Sequence, residues 1–271
     1  MIVTSLASGS SGNALLIRAN NGALLVDAGV AQRTLERWLA REGLTPSDLT
    51  AIILTHEHGD HTGCAGSLAR RHQIPIGLNQ ATAAALAREL TDAVLFDLPT
   101  GATRSIGPFV ITSFSITHDA ADPVGFLIEA DGWRVGVATD LGCWNDRIAA
   151  ALQPADLIVI ESNHDREKLR QAPYAWPIKQ RIASERGHLD NVDAGRLLAT
   201  IAADGRKRTA WLAHLSHEAN TPDIAVRVVR GMLAMASIRC VQVAALPRRA
   251  PLTWSSDSAA EQTSLFDSQF S

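Results

Sequence analysis

The chain has 271 residues, and its hydrophobic content of 46% is enough to build one large domain or two small ones. A formal net charge of −3 excludes a uniformly basic nucleic-acid binder, and no apolar run is long enough to span a membrane. The three widely spaced cysteines form no C-x-x-C pair, and the N-terminus lacks signal-peptide features. These features favour a cytoplasmic protein and argue against structural zinc.

Short apolar runs near the N-terminus predict β-strands at residues 14–17 and 23–26, joined by an Asn-Asn-Gly hairpin turn. The small-residue turn at 8–13 is either an anion-binding nest or a plain hairpin, and within it Asn13 is the side chain able to reach a substrate. Asp27 follows the 23–26 strand. It either caps the next helix or orients a ligand histidine.

The apolar run at residues 51–54 predicts a buried strand that leads directly into Thr-His-Glu-His-Gly-Asp-His at 55–61. Imidazole and carboxylate groups suit zinc, manganese or iron. The first two histidines are two residues apart and therefore point the same way, whereas the later pair follows a glycine bend and can reach a second ion. The candidate ligands are His56, His58, Asp60 and His61.

Later strands also end in polar residues with metal-binding groups. His118 closes a strand predicted at 110–117, and His214 closes another at 209–213. Asp140 follows a hairpin strand and is either a bridging carboxylate or a turn residue. The pattern assigns His56, His58 and His118 to one ion and Asp60, His61 and His214 to the other, bridged by Asp140. Two ions about 3.5–4 Å apart would hold a hydroxide as the nucleophile.

The buried strand at 155–160 runs into Glu161, Asn163 and His164, which mark the rim of a site. Residues 166–208 then contain 10 Lys and Arg against 5 Asp and Glu. The aromatic and basic side chains at 166–186, among them Lys179 and Arg181, suit stacking and phosphate contact. An ordinary surface cap explains the same pattern equally well.

Two successions of strands and helices predict an α/β fold, a four-layer αββα sandwich with helices outside two sheets. We expect this domain to occupy residues 1–250, followed by a flexible tail at 251–271. His188 precedes a predicted helix, whose N-terminal dipole favours anions and lowers a histidine pKa.

The order Asp27, H-x-H-x-D-H, His118, Asp140, His214 resembles the motifs of the metallo-β-lactamase superfamily. Residues 5–13 (SLASGSSGN), 161–165 (ESNHD), 187–189 (GHL) and 213–216 (AHLS) resemble its YycJ/WalJ branch, although Asp190 stands where that branch has a serine. This resemblance implies a metallo-β-lactamase fold, two divalent ions (zinc, or manganese as the alternative) and DNA 5′-to-3′ exonuclease activity.

The wider pattern is similar to ribonuclease Z-type phosphodiesterases, which implies that Glu161 and His188 help to protonate the leaving oxygen. Asp60 joins them as a catalytic residue. We expect contacts with DNA from Asn13, Asn163, His164, Lys179 and Arg181.

The C-terminal sequence Gln262-Thr263-Ser264-Leu265-Phe266 resembles the pentapeptide that binds the bacterial sliding clamp, with Gln262, Leu265 and Phe266 as the matching residues. Two other functions remain open from the sequence. One is a small-substrate metallo-hydrolase acting on a cyclic phosphodiester, lactone or thioester, and the other is a metal-free binding protein, which the complete ligand set argues against.

Overall fold

Two seven-stranded sheets face each other in the computed structural model, which describes residues 1–259. The strands are β1 (Ile2–Ala7), β2 (Ala14–Ala19), β3 (Gly22–Val26), β4 (Ala51–Ile53), β5 (Ile76–Leu78), β6 (Leu95–Asp97), β7 (Thr103–Ile106), β8 (Phe109–Ser115), β9 (Val124–Ala130), β10 (Trp133–Ala138), β11 (Leu157–Glu161), β12 (Arg208–Ala213), β13 (Val241–Ala245) and β14 (Leu252–Ser255). The sheet orders are β14-β1-β2-β3-β4-β5-β6 and β13-β12-β11-β10-β9-β8-β7.

The helices cover the outer faces of both sheets. They are α1 (Gln32–Arg41), α2 (Gly59–Thr62), α3 (Ala65–His72), α4 (Gln80–Ala85), α5 (Asp146–Leu152), α6 (Arg166–Gln171), α7 (Trp176–Ile182), α8 (Asn191–Ile201) and α9 (Pro222–Met235). Buried leucines of α1 and α3 pack on the first sheet, and those of α5, α8 and α9 pack on the second. This arrangement confirms the predicted αββα sandwich.

The space between the sheets holds the largest buried side chains. Phe109 and Phe126 are completely buried there, together with Trp211 from β12. Inward residues alternate along β8, so this strand presents one apolar face to the core. Burial of these aromatic rings supplies much of the apolar surface that holds the two sheets together.

Each sheet contains a parallel run, β3-β4-β5-β6 in the first and β10-β11-β12-β13 in the second. Because parallel strands end at the same edge of a sheet, the residues that follow β3, β4, β10 and β12 meet at one edge of the sandwich. The loops at this edge carry the candidate ligands.

The C-terminal boundary of the domain lies beyond the expected residue 250. Residues 252–255 form β14, which pairs antiparallel with β1, and Trp254 is buried with its ring 5.6 Å from that of Trp133. This aromatic contact explains why a Ser- and Pro-rich sequence continues the sheet. Gln262, Leu265 and Phe266 lie outside the described residues. Within residues 1–259, no helix combines the length and apolar character needed to cross a membrane.

Candidate metal centre and active site

Seven candidate ligands from four chain segments come together at the edge of the sandwich. His56, His58 and His118 form one group, Asp60, His61 and His214 form a second, and Asp140 approaches His56 and His61. Within each group one ligand atom of every member lies within 4.8 Å of the others. The structure therefore brings together both ligand sets that the sequence pattern assigned, with Asp140 between them.

Asp27 orients His61, a member of the second group, through a hydrogen bond. Its Oδ2 accepts a hydrogen bond of 2.7 Å from His61 Nδ1, and its Oδ1 accepts one of 2.9 Å from the backbone N–H of Thr55. With Nδ1 carrying the proton, His61 turns the lone pair of Nε2 towards Asp140 and Asp60. That Thr55 binds Asp27 was not predicted from the sequence. The only available signal was its position directly before His56.

Close backbone packing fixes the loop that carries Asp60 and His61. Ala28 donates a hydrogen bond of 2.7 Å to the carbonyl oxygen of His61. A Cβ atom on Gly29 would lie 1.6 Å from the carbonyl oxygen of Asp60, so glycine is needed for this close approach.

Two buried atoms at the centre have no hydrogen-bond partner in the described part of the chain, namely His56 Nε2 and Asp140 Oδ2. His61 Nε2 is 2.8 Å from Asp140 Oδ2 but lacks hydrogen-bond geometry. Lone pairs of imidazole nitrogens and carboxylate oxygens therefore lie close together without a proton between them. A divalent cation would satisfy them, so these residues fit the metal ions that the pattern implies.

Electrostatics at the centre also favour positive charge. Burial and the neighbouring His61 lower the pKa of His56 well below its ordinary value. Burial also opposes protonation of His214, yet Asp140, Asp60 and Glu161 raise the pKa of His214 to about 10. Carboxylates therefore attract a cation here, and a divalent ion would replace the proton on binding.

His118 and His214 are oriented by partners outside the metal groups. His118 Nδ1 donates to the carbonyl oxygen of Gly187 at 2.9 Å, which leaves Nε2 as the ligand atom, and the ring centroid lies 5.2 and 5.1 Å from those of His56 and His58. His214 Nδ1 lies 2.9 Å from Glu161 Oε1, and its Nε2 faces Asp60 Oδ2 at 3.4 Å. Such partners fix the tautomer of a ligand histidine.

Glu161 links the metal centre to His188. The carboxylate is completely buried, and its Oε1 accepts a hydrogen bond of 2.8 Å from His188 Nδ1. Its Oε2 accepts bonds from the backbone N–H groups of Leu141 and Leu189 at 2.7 and 3.1 Å. Glu161 is thereby held rigidly, while the His188 side chain keeps a 20% exposed surface.

Two of the expected DNA-contacting residues face inwards instead. Asn13 is buried, and its Nδ2 lies 3.2 Å from the carbonyl oxygen of Asp60 and 3.0 Å from His61 Nε2. Asn163 is also buried and donates a hydrogen bond of 2.8 Å to the carbonyl oxygen of His214. Their placement favours positioning of the candidate ligands over contact with a substrate.

The other three expected contacts lie on or beside a cavity next to His188. His164 and Lys179 line this cavity, whose volume is about 610 Å³. Arg181 lies outside its wall and donates from Nε to Asp119 Oδ2 at 2.7 Å. Asp119, which the sequence placed only in a loop, is 3.2 Å from His118 Nε2, and its adjacency to His118 was the available signal.

The fold and the ligand groups define a metal-dependent hydrolase architecture, and the chain belongs to the metallo-beta-lactamase superfamily, which it matches over residues 7–176. It is 36% identical to exodeoxyribonuclease YycJ of Bacillus anthracis over 81% of this chain and 84% of that protein. It is also 36% identical to exodeoxyribonuclease WalJ of Streptococcus pneumoniae serotype 2, over 86% of this chain and 88% of that protein. The chain is therefore a YycJ/WalJ-like member of the superfamily, as the motifs indicated.

The solved structure of YhfI, a metallo-beta-lactamase fold protein from Bacillus subtilis, superposes with a TM-score of 0.70. It covers 94% of this chain and 100% of its own, with 19% sequence identity. At this level of identity the match confirms the fold.

Proposed function

We propose that the chain is a metal-dependent phosphodiesterase that degrades DNA from the 5′ end, with a two-ion centre at its active site. The observation that carries this proposal is the His188–Glu161 pair, which lies directly beside the seven candidate ligands. Phosphodiester hydrolysis needs positive charge against the phosphate and a proton donor for the leaving oxygen. Divalent ions held by the candidate ligands would supply the charge, and His188 is placed to donate the proton. The similarity to proteins named exodeoxyribonucleases supports DNA as the substrate.

In the proposed reaction, divalent ions held by the seven residues would polarise the scissile phosphate and lower the pKa of a water molecule. That water releases a proton to solvent, its oxygen bonds to phosphorus, and the bond from phosphorus to the leaving oxygen breaks. His188 donates its proton to this departing oxygen. Burial opposes protonation of His188, but Glu161 and Asp140 raise its pKa, which favours the protonated form that a proton donor needs.

Glu161 acts on the reaction through His188 and His214. Its Oε1 holds the Nδ1–H of both rings, at 2.8 and 2.9 Å. The imidazole of His188 consequently presents Nε2 away from Glu161, and we expect this nitrogen to carry the proton that is transferred.

Nuclease assays on 5′-labelled and 3′-labelled DNA, single-stranded and duplex, with zinc or manganese, test the proposal. We expect metal-dependent shortening from the 5′ end that Asp60→Ala abolishes. Asp48→Ala removes an exposed carboxylate that belongs to none of the candidate metal groups, and it serves as the matched control. Shortening from the 3′ end would refute the polarity. Absence of cleavage by a protein that binds two ions would favour the small-substrate hydrolase.

We also propose that the C-terminal Gln262, Leu265 and Phe266 bind the DNA sliding clamp. Their resemblance to the clamp-binding pentapeptide supports this proposal, and a DNA exonuclease would benefit from such a tether. A pull-down with purified clamp compares the unaltered chain with a Leu265→Ala/Phe266→Ala variant. Equal binding of both proteins, or binding of neither, would refute it.

A further inference from the structure

A cavity lies beside His188, next to the candidate metal centre, and is lined mostly by residues outside the ligand groups. It lies between α6, α7 and the loop that leads to α8, and has a volume of about 610 Å³. His188 forms part of its wall while its ring lies 5.2 Å, centroid to centroid, from those of His118 and His214. A group bound in the cavity would therefore adjoin the metal centre on the side of the proposed acid.

The volume suits a small ligand rather than a length of duplex. Small-molecule sites commonly measure about 300–1,000 Å³, so one nucleotide is a suitable occupant. In the proposed reaction His188 protonates the leaving oxygen. The nucleoside that carries this oxygen must then lie on the His188 side of the scissile phosphate, which is where the cavity opens.

His164 contributes a polar side chain to the cavity wall. His164 lines the cavity and is only 3% exposed, and its Nδ1 is enclosed without a hydrogen-bond partner. The imidazole makes no hydrogen bond to any residue in 1–259. Buried polar groups in native proteins are usually paired, so this enclosed nitrogen needs a ligand group or a water molecule as its partner.

The charged groups of the wall differ in their availability. Arg166 is bound to Asp190 and to Asp193. The ammonium group of Lys179 donates to the carbonyl oxygen of Arg170 at 2.6 Å and has no carboxylate partner within residues 1–259. Arg170, which also lines the wall, is paired with Glu167. Lys179 is therefore the wall cation that can bind an anionic group of a ligand.

Trp176 supplies an apolar surface on the same wall. Its side chain lies at the start of α7 and is 66% exposed, which is unusual for a residue of this size. Bases stack on exposed aromatic rings with little dependence on sequence, at about 1–3 kcal/mol per base. The wall thus combines a stacking surface, an available cation and an unpaired imidazole with the proposed proton donor.

We propose that this cavity binds the single 5′-terminal nucleotide that is released in each cycle. This inference rests on the proposed function and specifies its substrate. The 5′-phosphate of the nucleotide lies at Lys179, its base stacks on Trp176, and its 3′-oxygen, which leaves phosphorus and takes the proton, lies at His188. With the terminal nucleotide in the cavity, the scissile phosphate is the one next to the chain end.

Calorimetric titration of the metal-loaded protein with deoxyadenosine 5′-monophosphate and with deoxyadenosine tests the cavity directly. We expect the monophosphate to bind more tightly, and Lys179→Ala to weaken its binding about tenfold, as loss of a charge-assisted contact would. Lys168→Ala removes the same charge from α6 but is not in the cavity wall, so it should bind like the unaltered protein. Equal binding by both variants, or no binding of the monophosphate, would overturn the inference.

Rates of cleavage of 5′-phosphorylated and 5′-hydroxyl oligonucleotides separate this inference from the proposed function. We expect Lys179→Ala to lower the preference for the 5′-phosphate about tenfold, while Lys168→Ala preserves it. If DNA is cleaved with the same preference in all three proteins, the cavity inference is wrong and the exonuclease proposal stands. If no DNA is cleaved but Lys179 still governs nucleotide binding, the proposed function fails and the cavity assignment stands.

Discussion

The role of Asp27 can be tested by replacing one oxygen of its carboxylate. In Asp27→Asn, the remaining oxygen still accepts the bond from the N–H of Thr55, and asparagine tolerates the φ of +60° at this position. The new NH₂ group, however, faces His61 Nδ1, which would then have to accept a hydrogen bond. The proton of His61 would move to Nε2, the nitrogen that faces Asp60 and Asp140.

Removing such a partner of a ligand histidine weakens metal binding by about 10–100-fold, which corresponds to about 1.4–2.7 kcal/mol. We therefore expect Asp27→Asn to lose the ion at Asp60, His61 and His214 and to keep the one at His56, His58 and His118. Equilibrium dialysis at a buffered zinc concentration would show one ion bound instead of two.

Thermal unfolding of the metal-free proteins, followed by circular dichroism, separates this local effect from loss of the fold. The unfolding temperature of metal-free Asp27→Asn should lie close to that of the unaltered chain. Asp48→Asn changes an exposed carboxylate and should retain two ions with unaltered affinity. Two ions bound to Asp27→Asn with unaltered affinity would refute the assignment of Asp27 as the group that sets the His61 tautomer.

Three further predictions concern packing, pH and thiol reactivity. Gly29→Ala should destabilise the fold by about 1–3 kcal/mol in denaturant titrations, because its Cβ would meet the carbonyl oxygen of Asp60. Gly59→Ala should not destabilise it, because a Cβ there meets nothing within 4 Å. Hydrogen bonds from Arg208 lower the pKa of Asp204 to about 2, so their stabilisation is present above the unfolded pKa of about 3.9 and is lost as the pH falls towards 2. The difference in free energy of unfolding between the unaltered chain and Asp204→Asn should shrink over that range, and a constant difference would contradict this. Burial and Glu36 raise the pKa of Cys64 to about 12. Iodoacetamide at pH 8 should therefore leave Cys64 unmodified in the folded protein and label the partly exposed Cys143. Mass spectrometry of the peptides measures the labelling of both cysteines.

The fold and the placement of the candidate ligands could be predicted because each depends on local sequence. An apolar run followed at once by polar metal-binding residues marks the end of a buried strand, and this pattern occurs before His56, His118 and His214. Ends of neighbouring strands in a sandwich meet at one edge, so the local signals together predicted one site.

Contacts between distant segments could not be predicted from the same signals. Strand β14 pairs with β1 across more than 240 residues, and its sequence alone is typical of a loop. The inward orientation of Asn13 depends on the loop that carries Asp60, and the pairing of Arg181 depends on Asp119. In each case the partner lies far away in the sequence, so composition and spacing carry no information about it.

The backbone at the site shows why these positions matter to the chemistry. Asp27, Asp140 and His214 have φ values of +60°, +54° and +53°, in the left-handed region that residues other than glycine rarely occupy. Each comes one or two residues after a strand ends, where the chain must turn its side chain sideways into the centre. Strain of this kind costs about 1–3 kcal/mol per residue and persists only where the surrounding structure enforces it. Glycine would remove the strain together with the side chain, so the strain at these three positions supports the hypothesis that their side chains are functional.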